Sequence, residues 1–202
     1  MHLLFLMGTT IWDSFKAFDY AVYKFVSGFM SDGMTGFMKL MTFIGSGWSI
    51  TALAAAIPFL VFVLKKRKYY ATALLIPLNI AAGSLLNEIL KQIFQRARPD
   101  ILRLVTVTDY SFPSGHSMNS MIFYGFLAWL ILKYVQPRFK YPAAFILSMM
   151  ILLIGTSRVY LGVHYASDVI AGFIIGLAWL AFFIRITRKY TMESDKEFEK
   201  LK

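Results

Sequence analysis

The sequence predicts an all-α protein, a polytopic bundle of membrane-spanning helices. Of its 202 residues, 58% are hydrophobic and 16% are charged, whereas soluble domains carry roughly 45–50% apolar and about 25% charged residues. The apolar residues form long blocks, and blocks of about 18 or more such residues are typical of membrane spans. No linker, low-complexity tract or internal repeat divides the chain, so we expect residues 1–202 to form one integral membrane domain.

The N-terminal part, residues 1–43, precedes the clear spans. Its first 12 residues are mostly apolar, but at about 1.5 Å per residue they cover only about 18 Å of a hydrocarbon core about 30 Å thick. From Ile11 to Phe29, apolar residues recur at helical spacing. Charged residues lie between them, at Asp13, Lys16, Asp19 and Lys24. This pattern predicts an amphipathic helix, which either lies in the outer membrane interface or packs on the bundle.

The core of the chain, residues 44–186, holds five apolar blocks that we predict as clear spans. They lie at about 44–64, 69–90, 115–132, 141–157 and 168–186. Residues 187–202 are a charged tail, in which acidic residues offset much of the basic charge, as is typical of a solvated helix end.

The basic residues predict how the chain crosses the membrane. The connections between spans one and two and between spans three and four, together with the C-terminal segment, hold 13 of the 21 Lys and Arg residues. These segments alternate along the chain and so fall on one side, which the positive-inside rule assigns to the cytoplasm. The net charge of +10 is therefore attributed to topology rather than to nucleic-acid binding. We predict a multi-pass cell-membrane protein with a cytoplasmic C-terminus.

The opposite, extracytoplasmic side carries the 91–114 and 157–168 connections, and these are also basic. Their cations are Lys91, Arg96, Arg98, Arg103 and Arg158, against three aspartates. Because topology does not explain positive charge on this side, we infer an anionic substrate.

The first polar stretch is KQIFQRARP, residues 91–99. Lys91 and Arg98 are seven residues apart, which places them two turns apart on one face of a helix that Pro99 would end, so both can converge on one anion. The guanidinium of Arg98 can also donate two parallel hydrogen bonds to phosphate oxygens. The alternative is that both side chains only reach toward the membrane interface.

The second polar stretch is FPSGHSMNS, residues 112–120. Ser114 is a candidate N-cap for the third span. The same geometry points free backbone N–H groups at an anion, which Gly115 allows to approach closely. His116 is an ionisable group at the end of a span, which favours a functional role.

The third polar stretch is SRVYLGVHYASD, residues 157–168. His164 and Asp168 are four residues apart, one helical turn, so Asp168 can accept the Nδ1–H of His164 and leave Nε2 free as a nucleophile or base. The alternative is that Asp168 caps the last span and His164 is an interfacial residue. A metal site is not predicted, because the chain has no cysteine and no H-E-x-x-H spacing.

Together the three stretches resemble, in order, the three signature motifs of the type-2 phosphatidic acid phosphatases. The matching residues are Lys91-x6-Arg98-Pro99, Pro113-Ser114-Gly115-His116 and Ser157-Arg158-x5-His164-x3-Asp168. The resemblance covers about residues 44–186. Membrane members of that family usually have six spans, so the short N-terminal segment is a departure, and either a partial sixth span or a start site placed too late would account for it.

The resemblance implies a reaction and a role for each residue. His164 attacks phosphorus to form a phosphohistidine that water hydrolyses, Asp168 orients His164, and His116 protonates the leaving oxygen and then activates the water. The equatorial phosphate oxygens are held by Lys91, Arg98, Arg158, Ser114 and the Gly115 N–H. No metal or other cofactor is expected. A lipid phosphate or diphosphate is the expected substrate and membrane partner, with undecaprenyl diphosphate and phosphatidylglycerophosphate as the leading candidates.

Two alternatives stay open from the sequence. A transporter or receptor for anionic lipids would use the same cations without needing His164, Asp168 and His116 together. A vanadium haloperoxidase shares the motifs but is a soluble protein, which the apolar spans disfavour.

Overall fold

The computed structural model describes residues 2–199, with side chains described for residues 12–67 and 69–188. In this part of the chain the protein is all-helical, as predicted. The helices are α1 (His2–Ser27), α2 (Asp32–Ile44), α3 (Gly47–Val63), a 3₁₀ turn (Arg67–Tyr69), α4 (Tyr70–Phe94), α5 (Gly115–Tyr134), α6 (Pro137–Tyr160) and α7 (Ala166–Glu199).

Three serines begin helices α2, α3 and α5. Ser31, Ser46 and Ser114 have extended backbones, and each side chain accepts a hydrogen bond from a backbone N–H three residues later. This is the N-cap arrangement, which satisfies a backbone donor that the first turn leaves free. The Ser46 cap separates α2 from α3, and these two helices are bent by 48° at the break.

The prediction of five clear spans is not confirmed. By length and composition, three of the described helices can cross a membrane, α4, α6 and α7 from Ala166 to Arg188, and the bent α2–α3 pair would make a fourth. The helix α3 alone has only 17 residues. The helix α5 fails because its first two turns carry His116 and three further polar residues, which lower its hydropathy.

The N-terminal part differs from the prediction in two ways. The helix α1 is one continuous helix of 26 residues, so the apolar segment 1–12 and the amphipathic segment are not separate elements. The helix α2 was not predicted at all. Asp19, placed on the polar face by its spacing, is buried on the bundle with 4% of its surface exposed, while Val22 of α1 packs on a cluster from α6 and α7. These contacts agree with the alternative in which this helix packs on the bundle.

The helix α5 lies at the centre of the bundle and packs against α3, α4, α6 and α7. Two glycines of α7 allow a close approach to it. A Cβ at Gly172 would lie 2.9 Å from the carbonyl oxygen of Ser114, and one at Gly176 would lie 2.9 Å from that of Met118. This approach brings the first turns of α5 and α7 together, and the Ser114 N–H donates to the Asp168 carbonyl at 3.2 Å.

The C-terminal ends of α4 and α6 and the N-terminal ends of α5 and α7 lie together, and we call this the site end of the bundle. The connections at 64–69 and 134–137 lie together at the other end, where the rings of Tyr69 and Tyr134 are 6.2 Å apart. The two basic interhelical connections therefore share one end, as predicted.

Candidate active site

The predicted site residues are contributed by four helix ends and two loops. Lys91 lies in the last turn of α4 and Arg158 in the last turn of α6. Ser114 caps α5, and Gly115 and His116 are its first residues. Asp168 lies in the first turn of α7, while Arg98 and His164 lie in the loops that follow α4 and α6.

Lys91 and Arg98 do not share a helical face, so that prediction is wrong. The helix α4 ends at Phe94, because Gln95 has the left-handed backbone conformation with φ 44°; Pro99 does not end it. The two cations nevertheless converge on one anion, the carboxylate of Asp109 in the following loop. Lys91 Nζ pairs with Oδ2, and Arg98 Nη2 donates to Oδ1 at 2.5 Å.

Asp109 therefore behaves as a permanently charged partner of the two cations. Its partial burial acts to raise its pKa, but the hydrogen bonds and charges of Lys91 and Arg98 outweigh this effect and lower the pKa to about 2. Its side chain remains 48% exposed, so the carboxylate lies at the opening of the site.

His164 is buried beside Arg98. Arg98 Nη1 lies 3.1 Å from His164 Nε2 and also donates to the Val163 carbonyl at 2.6 Å. A guanidinium can only donate, so Nε2 is the acceptor and the ring proton is on Nδ1.

The surroundings of His164 keep its ring neutral. Burial is the largest cause, and together with the charges of Arg98 and Arg158 it lowers the pKa of His164 to about 4, although Asp168 acts to raise it. Burial contributes most to this lowering of the pKa, and the charge of Arg98 contributes more than that of Arg158.

Asp168 does not accept a direct hydrogen bond from His164. The distance from Nδ1 to Oδ2 is 3.6 Å, too long for a hydrogen bond. Ser111 lies between the two groups, since its hydroxyl donates to Oδ2 at 2.5 Å and is 3.4 Å from Nδ1. The predicted one-turn helical spacing is also wrong, because α7 begins at Ala166 and His164 precedes it.

Asp168 also has a structural role at the start of α7, although it is not the N-cap that the alternative proposed, because the helix begins two residues earlier, at Ala166. Its Oδ2 accepts the backbone N–H of Tyr165 at 3.0 Å, which satisfies a free donor at the start of α7. The side chain is fully buried. One carboxylate therefore both secures the start of α7 and contacts the hydroxyl that faces His164.

The start of α5 shows the predicted N-cap. The Ser114 hydroxyl accepts from the Ser117 N–H at 3.4 Å and from the Ser117 hydroxyl at 2.9 Å. Gly115 approaches α4 closely, since a Cβ there would lie 3.0 Å from Asn87 Oδ1. His116 is partly buried and lies within electrostatic range of the predicted cations and His164.

Arg158 is buried at the end of α6. Its Nη1 donates to the Thr42 hydroxyl of α2, while its Nε is buried without a hydrogen-bond partner among the described residues. Buried donors are nearly always paired, so this Nε calls for an acceptor that the described part of the chain does not supply.

Several residues at this end of the bundle are not predicted by the sequence: Thr42, Asp109, Ser111 and Asp19, which contacts Arg96. Asp109 and Ser111 lie in an irregular loop without a recognisable spacing. Thr42 and Asp19 belong to the N-terminal helices, which no motif connects to the site. Among the described residues, no group of three His, Asp or Glu side chains is placed to hold a metal ion.

Comparison with known proteins identifies the family. Residues 72–192, more than half of the chain, match the PAP2 superfamily. The chain belongs to the PAP2 superfamily. This confirms the resemblance to type-2 phosphatidic acid phosphatases that the three motifs indicated.

Two curated PAP2 relatives match by sequence. Phosphatidylglycerophosphatase B of Bacillus subtilis (strain 168) is 42% identical over 113 residues, 55% of this chain and 55% of that protein. Undecaprenyl-diphosphatase of Sulfolobus acidocaldarius is 31% identical over 129 residues, 61% of this chain and 57% of that protein. The chain spans about half the length of these relatives.

Two solved structures share the fold of this PAP2 chain. A transmembrane PAP2-type phosphatidylglycerolphosphate phosphatase from Bacillus subtilis has a TM-score of 0.80 at 30% identity, covering 92% of this chain and 94% of that one. Aquifex aeolicus LpxE has a TM-score of 0.65 at 23% identity, covering 82% and 94%. The second comparison shows the fold alone.

Proposed function

We propose that this PAP2 chain is a lipid phosphatase that hydrolyses the terminal phosphate of a membrane lipid phosphate or diphosphate. The observation that carries the proposal is the position of Arg98, which contacts both the Nε2 of a neutral, buried His164 and a carboxylate that it shares with Lys91. A phosphate held by Lys91 and Arg98 would therefore lie next to the Nε2 lone pair of His164.

The phosphate would be held by side chains from four elements. Lys91, Arg98 and Arg158 supply the positive charge, and the Arg158 Nε supplies a buried donor that lacks an acceptor. The N–H of Gly115 and the hydroxyl of Ser114 complete the set at the start of α5, where the helix dipole favours an anion. Charge that spreads over the equatorial oxygens in the transition state is stabilised by such fixed donors.

The proposed first step forms a phosphohistidine. The phosphate displaces the Asp109 carboxylate, and Arg98 turns its donors from His164 Nε2 to the phosphate oxygens. Nε2 then attacks phosphorus as the P–O bond to the leaving group breaks, and His116 gives that oxygen a proton. The leaving group is a lipid alcohol for a monoester and a lipid monophosphate for a diphosphate.

The second step returns the enzyme to its starting state. His116, now neutral, takes a proton from water as the water oxygen attacks phosphorus and the P–N bond breaks. Phosphate leaves, and His164 regains its lone pair. Throughout, the Nδ1 proton faces the Ser111 hydroxyl, which in turn donates to Asp168, so Asp168 stabilises the charged ring through Ser111.

The substrate class and location rest on the membrane helices and the relatives. The two sequence relatives are named phosphatidylglycerophosphatase B and undecaprenyl-diphosphatase. We propose a lipid of this class as the substrate here. The alternating basic connections favour an extracytoplasmic site end and a cytoplasmic C-terminus.

The test is phosphate release by the purified chain from phosphatidic acid, phosphatidylglycerophosphate and undecaprenyl diphosphate, with and without EDTA. The matched variant is His164→Ala, which we expect to lose turnover and acid-labile phosphoenzyme while still binding the lipid, because all three cations remain. Turnover by His164→Ala near that of the wild type would remove the nucleophile and favour an anion-binding protein. Loss of activity in EDTA would contradict the expected independence of metal.

A further inference from the structure

Arg96 is a buried arginine that the proposed mechanism does not use. Only 5% of its surface is exposed, and its guanidinium donates hydrogen bonds to carboxylates on two sides. Nη1 donates to Asp168 Oδ1 and to the Ser167 hydroxyl, the latter at 2.8 Å. Nη2 donates to Asp19 Oδ2 at 2.9 Å. Arg96 therefore joins the first turn of α7 to the middle of α1.

Two aromatic rings fix the plane of this guanidinium. The Arg96 Cζ lies 4.4 Å from the ring centroid of Trp12 and 4.0 Å from that of Tyr165. Guanidinium groups stack on aromatic faces in this way, whereas a lysine ammonium presents a point charge without a plane. The two rings restrict the movement of the guanidinium, whose Nη1 donates to Asp168.

Asp19 fixes the other side of Arg96. Its carboxylate also accepts the Ser167 N–H at 2.8 Å and the Ser167 hydroxyl at 2.8 Å, and it is buried. One arginine thus lies between two buried carboxylates, so removing Arg96 would leave two negative charges close together in a region from which water is largely excluded.

Asp168 has its two oxygens held by different groups. Arg96 holds Oδ1, while Ser111 and the Tyr165 N–H hold Oδ2. With both oxygens fixed, the Ser111 hydroxyl is kept between Asp168 and His164 Nδ1. The Arg96 guanidinium reaches His164 through Asp168 and Ser111, and the Arg96 backbone carbonyl also accepts the Ser111 N–H at 2.8 Å. Among the described contacts, the guanidinium bonds to none of the groups proposed to hold phosphate.

We propose that Arg96 is a positioning residue, which acts through Asp168 and Ser111 to hold His164 ready for attack, and that Asp19 of α1 holds Arg96 in place. The inference rests on the proposed phosphatase function. It gives the N-terminal helix a part in the site, although none of the three motifs lies there.

The experiment compares Arg96→Gln with Arg103→Gln in the full-length chain. Arg103 is an exposed arginine of the same loop, bonded only to the Pro99 carbonyl among the described contacts. For Arg96→Gln we expect kcat to fall by about 10- to 100-fold, the range found for hydrogen-bond partners that orient metal-ligating histidines. KM and the inhibition constant of inorganic phosphate should change by less than about twofold, since the phosphate-binding cations are intact. Arg103→Gln should behave like the wild type.

A double-mutant comparison separates positioning from general stability. If Arg96 acts through Asp168, Arg96→Gln should cause little further loss of kcat in the Asp168→Asn background. Independent, multiplicative losses would overturn the proposal, as would a rise in the phosphate inhibition constant equal to the loss in kcat. Asp19→Asn keeps one acceptor oxygen, so its kcat should fall less than that of Arg96→Gln. If Arg96→Gln does not fold, Asp19→Asn replaces it in the same measurements of kcat, of the phosphate inhibition constant and of the double mutant with Asp168→Asn. Wild-type activity in both Arg96→Gln and Asp19→Asn would overturn this inference alone, whereas an inactive wild type would overturn the proposed function first.

Discussion

Arg98 Nη1 lies 3.1 Å from His164 Nε2, so the cation proposed to bind phosphate also holds the lone pair proposed to attack it. This contact fixes the tautomer of His164, and it explains in part why the ring stays neutral. In the proposed mechanism, substrate binding and release of the Nε2 lone pair are therefore one event, because Arg98 cannot donate the same N–H to both.

The first prediction concerns the protonation of His164. Its pKa is lowered to about 4, from the ordinary value of 6.5, by burial and by Arg98 and Arg158. The ring should therefore be neutral above that pH and become charged only as the pH falls through about 4. The chain has three histidines, so NMR of histidine-labelled protein can follow each one, with His164→Ala assigning the signal.

Arg98→Gln supplies the matched change for this titration. It removes one of the cations that disfavour the imidazolium, so the pKa of His164 should rise, while burial still keeps it below 6.5. A wild-type His164 that titrates near 6.5, or one that does not respond to Arg98→Gln, would refute the electrostatic account of the nucleophile.

The second prediction concerns Asp109, whose carboxylate occupies the two cations Lys91 and Arg98. A phosphate must displace it, so Asp109→Asn should bind inorganic phosphate more tightly, and its inhibition constant should fall several-fold. Because the pKa of Asp109 is about 2, the wild-type carboxylate is charged from pH 5 to 8, and this ratio of inhibition constants should not vary over that range.

Asp100→Asn is the control for this change, since Asp100 is an exposed carboxylate of the same loop. It removes the same charge from the site end but leaves Asp109 paired with Lys91 and Arg98. Its inhibition constant for inorganic phosphate should therefore stay near that of the wild type. Weaker phosphate binding by Asp109→Asn would mean that Asp109 instead holds Arg98 in its working position.

The sequence predicted that the motif residues would lie together at one end of the bundle, because they stand where apolar helices end and a bundle must bring alternate ends together. It failed where local periodicity was extended beyond a helix end. Lys91 and Arg98 were placed on one helix, but Gln95 ends α4 between them. His164 and Asp168 were placed on one turn, but α7 begins only at Ala166.

Long-range partners were beyond sequence reasoning for a different reason. Thr42 contacts Arg158 over a separation of 116 residues, and Asp19 contacts Arg96 over 77 residues. Both contacts depend on how α1 and α2 pack on the bundle, and neither helix has a motif that fixes its position. The predicted number of spans was not confirmed because a long apolar block does not show where a helix breaks, as before α3, or that its first turns are polar, as in α5.

The third prediction concerns the proton donor. If His116 protonates the leaving oxygen, His116→Ala should slow hydrolysis of a lipid monoester strongly, because an alkoxide leaves poorly without a proton. It should affect p-nitrophenyl phosphate much less, since that leaving group is stable as an anion. The measurement is the ratio of kcat values for the two substrates in variant and wild type. An equal loss on both would make His116 a phosphate-binding residue instead.

The last prediction concerns which side of the membrane the site end faces. The chain has no cysteine, so single cysteines can be introduced and labelled in intact cells with a reagent that does not cross membranes. Thr106→Cys lies in the loop at the site end, while Lys66→Cys lies in the connection before α4 and Arg138→Cys in the first turn of α6, both at the other end. All three positions are exposed. The positive-inside rule predicts labelling of Thr106→Cys only.

Permeabilised cells provide the control, because all three cysteines should then react to a similar extent. Labelling of Lys66→Cys and Arg138→Cys but not Thr106→Cys in intact cells would invert the topology and place the site in the cytoplasm. The proposed chemistry would survive that result, since it depends on the contacts of His164 and its cations, but the substrate would then have to be a lipid phosphate of the inner leaflet. Labelling of Lys66→Cys and Thr106→Cys together would instead mean that α4, the helix between these two positions, does not cross the membrane, and would contradict the arrangement of spans itself.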